Sequence, residues 1–187
     1  MPPHGGITVA EEGNKRRGSM KPAEARQCAK DIVDFFKAHD PKADFEPTET
    51  QLLEGFCKST LSLPIALEEL YNCARRGVWF EDKELLPLEK AAKMLKDLFR
   101  SGDNLLGDNL FPFAEDESGD NLLVVHVQTE RVYEWDCAEN SKEDLAECFT
   151  DFMESYRDKL LAGKYEYLGD GMGVCEKSGA GQPRSGK

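Results

Sequence analysis

Acid–base, nucleophilic and metal chemistry each need particular side chains at particular spacings, and this sequence offers few that qualify. Its histidines are His4, His39 and His126, and its six cysteines are Cys28, Cys57, Cys73, Cys137, Cys148 and Cys175. No two cysteines form a C-x-x-C pair, so a structural zinc site would have to be assembled from scattered residues. Several cysteines fall where a helix would bury them, as small hydrophobes in a reducing compartment. Catalysis would require a nucleophile with its base, or two carboxylates of separated acidity. His126 is the one histidine within an expected strand, and no motif pairs it with a serine or cysteine. A structural role is expected for it, with no catalytic residue, metal or cofactor.

The run Glu115-Asp116-Glu117-Ser118-Gly119-Asp120 invites a calcium reading. An EF-hand loop starting at Asp116 should carry Gly at its sixth position and Glu at its twelfth. This chain has Asn121 and Val127 there. The run is expected to be a turn before a strand, and Glu115, Asp116, Glu117 and Asp120 are candidates for an acidic partner-binding rim. Trp79 joins them as a candidate interface anchor, whereas Trp135 is expected to pack under the last helix. The segment Gly169-Asp170-Gly171-Met172-Gly173 has the composition of a phosphate-cradling loop but no helical pattern after it, so no anion site is expected.

Charge narrows the partners. The 187 residues hold 36 acidic and 24 basic side chains, a formal net charge of −12. Residues 1–21 carry +2 and residues 169–187 carry +1, which leaves −15 on the middle. Nucleic-acid binding needs Lys and Arg to displace counterions, so this body is not suited to it. A protein with a basic surface is the natural partner. No run approaches the roughly 18 apolar residues of a membrane helix, and Met1-Pro2-Pro3-His4-Gly5-Gly6 lacks a signal-peptide core. A cytoplasmic protein without membrane insertion is expected.

The elements that must position these residues follow from periodicity. Residues 1–21, with Lys15-Arg16-Arg17 among Gly and Pro, read as a disordered extension, and 169–187 as a flexible Gly-rich tail. Between them, residues 22–168 suit one domain. Helices are expected from Pro22 to Asp40, after a Thr48/Gln51 capping box, from Pro64 towards Gly77, and over Leu88 to Phe99. Short edge strands fit Val78–Phe80 and Leu85–Leu88. A meander follows at 111–113, 122–127 and 131–136, with a hairpin loop at Gln128-Thr129-Glu130. Ser141 and Asp144 read as the cap of a last helix carrying Leu145, Cys148, Phe149, Phe152, Met153, Tyr156 and Leu160 to Gly163. Gly-Asp-Asn-Leu recurs at 102–105, 107–110 and 119–122, too irregularly for a solenoid. The fold class is α+β, a mainly antiparallel sheet flanked by helices.

Four of these segments, in order over residues 48–162, resemble the SUKH superfamily of fungal Smi/Knr-type cell-wall assembly regulators and bacterial toxin-immunity proteins. Leu63-Pro64-Ile65-Ala66-Leu67-Glu68-Glu69-Leu70-Tyr71 is similar to its early Leu-Pro helix, and Leu110-Phe111-Pro112-Phe113-Ala114 with Gly119-Asp120 to its turn before a strand. Val132-Tyr133-Glu134-Trp135-Asp136 resembles its aromatic strand. Leu145-Ala146-Glu147-Cys148-Phe149-Thr150-Asp151-Phe152 resembles its last helix, with Cys148 in place of Ser. Val125-His126 stands where members often have an acidic residue. The resemblance implies a SUKH-like domain that binds protein rather than catalyses. The long extensions favour a regulatory or scaffold-type member, and the alternative is an immunity protein that neutralises a toxin by direct binding.

Overall fold

A computed structural model describes residues 20–177 apart from 44, 60, 101–108 and 170, without the side chains of 59 and 98–100. The expected extension up to residue 19 and the last ten residues of the expected tail lie outside the described residues. The intervening chain is α+β, with five helices and a six-stranded antiparallel sheet in the order β1-β2-β3-β4-β5-β6.

Helix α1 (Pro22–His39) buries Ala25, Cys28, Ala29, Ile32, Val33 and Phe36, the stripe its periodicity sets. Glu24 Oε2 accepts the Lys21 amide at 3.1 Å to fix its start, and Asp40-Pro41 ends it. Met20, just before it, is already buried in the core, so order begins earlier than the expected boundary at 22. Helix α2 (Thr50–Ser59) starts two residues past the expected cap, Thr48. The carbonyl of Glu49 accepts the Leu53 amide, while Thr48 donates its own amide to Tyr71 O and leaves its hydroxyl buried without a partner among the described residues. Helix α3 (Ile65–Cys73) begins on Pro64, whose carbonyl takes the first helical bond, and packs along α1. Arg26 and Glu69 join the two helices at 3.0 Å.

Strands β1 (Trp79–Phe80) and β2 (Lys83–Leu85) form an edge hairpin, but β2 lies before the expected Leu85–Leu88 strand and shares only Leu85 with it, because Pro87 opens α4 (Leu88–Arg100). Strands β3 (Leu110–Glu115), β4 (Asn121–His126) and β5 (Val132–Asp136) are the expected meander. Pro112 sits in β3 beyond the last pairing to β2, Leu85 with Ala114, where a missing amide proton is tolerated. His126 accepts the Thr129 amide on Nδ1 at 3.2 Å, which closes the β4–β5 hairpin.

One expected helix start is corrected. Residues Ser141–Ala146 form β6, paired to β5 from Val132↔Ala146 to Asp136↔Ser141, and helix α5 runs over Phe149–Leu161. The Ser-x-x-Asp pattern that imitates a cap is therefore strand, and Cys148 is the N-cap. A second correction concerns the tail. β7 (Tyr165–Tyr167) and β8 (Val174–Glu176) pair as a separate hairpin, so ordered structure continues past residue 168.

Helix α5 lies on the sheet. Phe149 meets Phe113 at 5.2 Å between ring centroids, and Phe80 meets Phe113, Phe152 and Tyr156 at 5.5, 5.7 and 5.1 Å. Lys83 on β2 reaches Glu134 on β5 at 2.8 Å. Three strand spacings of about 4.8 Å separate these strands in a flat sheet, so the sheet curls around α5. Leu123 and Glu134 stand on this concave face. Trp135 alternates to the opposite face, so it is buried but not beneath the last helix as expected.

Cys148 caps α5 from an extended backbone, with no hydrogen bond from its side chain to the first turn. Serine there presents a hydroxyl oxygen to those amides, so Cys148→Ser is expected to add about 0.5–1 kcal/mol. Thermal unfolding should register this as a rise of a few degrees in midpoint. An unchanged or lower midpoint would contradict the cap assignment.

Candidate functional site

Four of the five sequence-derived site residues converge on one open cleft of about 740 Å³. Trp79, Glu115, Asp116 and Glu117 line it with Asp40, Arg76, Glu84, Tyr167 and Met172. Three parts of the fold build it: the C-terminal end of α1, the β1–β2–β3 edge with its acidic turn, and the loop between β7 and β8. Asp120 is not among its lining residues. Its backbone serves the turn instead, taking the Cys137 amide on its carbonyl and giving its own amide to Asp116.

Trp79 is half-buried, and its carbonyl accepts the Tyr156 hydroxyl from α5. The loop after β7 covers one side of it. Leu168 N bonds Gly173 O and Met172 N bonds Gly169 O, a tight turn in which Gly169, Gly171 and Gly173 all have positive φ. Val174 N then bonds Glu81 O at 2.9 Å, which pins this hairpin to the β1–β2 turn. The side chain of Met172 is left 60% exposed at the mouth of the cleft. Tyr167 packs on Phe36 and gives its hydroxyl to Asp40 at 3.1 Å.

The carboxylates divide by what already holds them. Glu84 accepts the Gly77 amide at 3.0 Å and lies 3.4 Å from Arg76, and Glu115 pairs with Lys90 from α4. Asp116 organises its own turn. Oδ1 accepts from Ser118 Oγ and the amides of Asp120 and Asn121, and Oδ2 accepts from Asn121 Nδ2 at 2.7 Å. Partial burial opposes its charge, yet these bonds together hold its pKa below the ordinary aspartate value. Its oxygens are therefore occupied, and it shapes the turn that displays Glu117. Glu117 is exposed and has no ion-pair partner among the described residues.

A second, smaller cavity of about 360 Å³ lies along the concave face of the sheet beside α5, lined by Phe80, Lys83, Leu123, Glu134, Leu145 and Phe152 among others. Burial disfavours the Lys83 ammonium, but hydrogen bonds to Asp82 and Glu134 hold its pKa above the ordinary lysine value, so it is a charged tie and not a nucleophile. Burial pushes the Cys28 thiol up to about 11. Among the described residues no group of three or more His, Cys, Asp or Glu is placed to hold a metal ion, and no helix is long and apolar enough to cross a membrane.

Arg76, Glu84, Asp40, Tyr167 and Met172 escaped the sequence reading because they come from four separate segments. The last two carried a signal of their own. Tyr165-Glu166-Tyr167 and Val174-Cys175-Glu176 flank a glycine-rich turn, a short hairpin pattern hidden by a tail-like composition.

Two predictions test this construction. A Cβ at Gly173 would lie 1.9 Å from Glu81 O and 3.1 Å from Trp79 Cε3, at a φ of +75°. Gly173→Ala should therefore detach the β7–β8 hairpin at a cost of at least about 2 kcal/mol. Limited proteolysis between 164 and 177 and a shift in tryptophan emission would report it, and wild-type behaviour in both would refute the clamp. Asp116→Ala should cost roughly 1–3 kcal/mol near neutral pH. A carboxylate whose folded pKa is depressed contributes above its unfolded pKa and loses that contribution as pH falls through the folded value. The gap between wild type and variant in urea unfolding should accordingly narrow as pH falls below about 4, and a gap that does not shrink on acidification would count against the charged turn.

No protein-family model matches this chain, and no curated protein matches it significantly.

Proposed function

We propose that this chain is a non-enzymatic protein–protein interaction module, a regulatory or scaffold-type member of the SUKH-like class, that docks a basic segment of a partner protein in the Trp79 cleft. The observation that carries the reading is the makeup of that cleft. Trp79, Tyr167 and Met172 give it apolar surface, and five carboxylates line it against the single guanidinium of Arg76. A flexible methionine beside an aromatic suits an adaptable protein surface, and the acidic rim selects a Lys- or Arg-bearing ligand. The body charge of −15 extends the same preference over long range.

Affinity capture from the native cell with wild type and with a Glu117→Lys/Met172→Asp double variant tests this. The captured partner should present a basic segment, and the double variant should slow its association at least tenfold at low salt, the difference shrinking as salt rises. An equal on-rate at low ionic strength would remove the cleft from the interface. Recovery of a basic nuclease as the partner would favour the toxin-neutralising alternative over the regulatory one.

A further inference from the structure

The second surface that is incomplete by itself is the outer edge of β6, and its chemistry is independent of the Trp79 cleft. β6 pairs only with β5, and no main-chain hydrogen bond joins Ser141–Ala146 to another described element. Its first five residues are exposed, Leu145 at 41%. An edge of six residues with unpaired amides and carbonyls is a template for one more strand.

The side chains along this edge are not neutral between occupants. Glu143 sits directly across from Glu134, a like-charge pair that disfavours the ladder. Lys83 answers Glu134 at 2.8 Å from the far side of the concave face, whereas Glu143 has no ion-pair partner among the described residues. Arg131 approaches Asp144 at 3.9 Å, so the next acidic residue along the strand has a cation near it. Two residues beyond Glu143, the apolar Leu145 lines the mouth of the 360 Å³ cavity that continues inward past Leu123 and Phe152. Carboxylates at the edge repel acidic strands and discourage sheet-to-sheet aggregation, but they attract a basic one.

We propose that β6 accepts an extended segment of a partner protein as a seventh strand, with Lys or Arg set against Glu143 and an aliphatic or aromatic residue two positions away packed on Leu145 at the cavity mouth. Main-chain bonds along the edge supply affinity that any extended peptide shares, and the two side chains supply selectivity. A strand that brings its cation to Glu143 also relieves the repulsion with Glu134.

The test selects a display library of random linear heptapeptides on the immobilised full chain. Enriched sequences should carry Lys or Arg two positions from Leu, Val, Ile or Phe, and the selected peptide should slow amide exchange within residues 141–146. Its affinity should fall tenfold or more on Glu143→Lys and on Leu145→Asp, each checked for a melting midpoint no lower than that of the wild type because both side chains are exposed, and stay within twofold on Glu117→Lys and Met172→Asp. Failure to enrich that pattern, unprotected amides in 141–146, or a peptide that responds to Glu117 and Met172 instead would overturn the strand-addition site. The last outcome would leave the Trp79 cleft standing.

Discussion

The concave face of the sheet is covered by aromatic side chains of α5, which packs on its other side against α1 and α3, and the architecture depends on that sheet–helix contact. Phe113 at the centre of β3 is fully buried and touches Phe80, Phe149 and Phe152, which come from β1 and from the first turn of α5. Removing a ring of this kind from water contributes about 1.5–3 kcal/mol, and the cluster adds edge-to-face contacts. The sheet must curl for β1 and β3 to reach the same helix, and Lys83 spans the curl to Glu134. A flat sheet would leave either α5 or β1 exposed.

The same helix fixes the cleft at its back. Tyr156, one turn beyond Phe152, holds the carbonyl of Trp79 and stacks against Tyr165 at 5.4 Å, so one side chain ties α5 to both β1 and β7. The glycine-rich loop between β7 and β8 then closes on the β1–β2 turn, where Glu81 takes the Val174 amide with a positive φ of 60°. Backbone approaches this close exclude a Cβ at Gly173. The position of Met172 at the Trp79 cleft is thus transmitted from the core through one residue, Tyr156, and one turn.

Helices α1 and α4 were legible because each presents an uninterrupted 3.6-residue period, and the β3–β5 meander because short β-rich runs are joined by polar turns. Residues Ser141–Ala146 were not. Ser-Lys-Glu-Asp-Leu-Ala has the composition of a helix start, and only its pairing with β5 makes it a strand, a tertiary contact that local preference does not encode. Thr48 misled in the same way, since its amide is taken by Tyr71 O and the chain enters α2 from Glu49. At the cleft, the acidic turn and Trp79 were visible as residue types. That they meet depends on the β2–β3 pairing of Glu84 with Glu115, and that Asp116 is spent on its own turn depends on Asn121. Neither fact has a signature in spacing.

The division of carboxylates bears on how the cleft works. Glu84 and Glu115 are paired with Arg76 and Lys90, and Asp116 keeps its charge while its oxygens accept from neutral turn donors, so these three carboxylates offer few open acceptor positions. Fixed pairs of this kind preorganise the rim, because their side chains lose no further rotamer freedom when a cation arrives. Glu117 is left to meet it directly, and Trp79 and Met172 supply the apolar area whose burial resists dissociation. Charge then governs how fast a basic segment is found, and the tryptophan–methionine surface governs how long it stays.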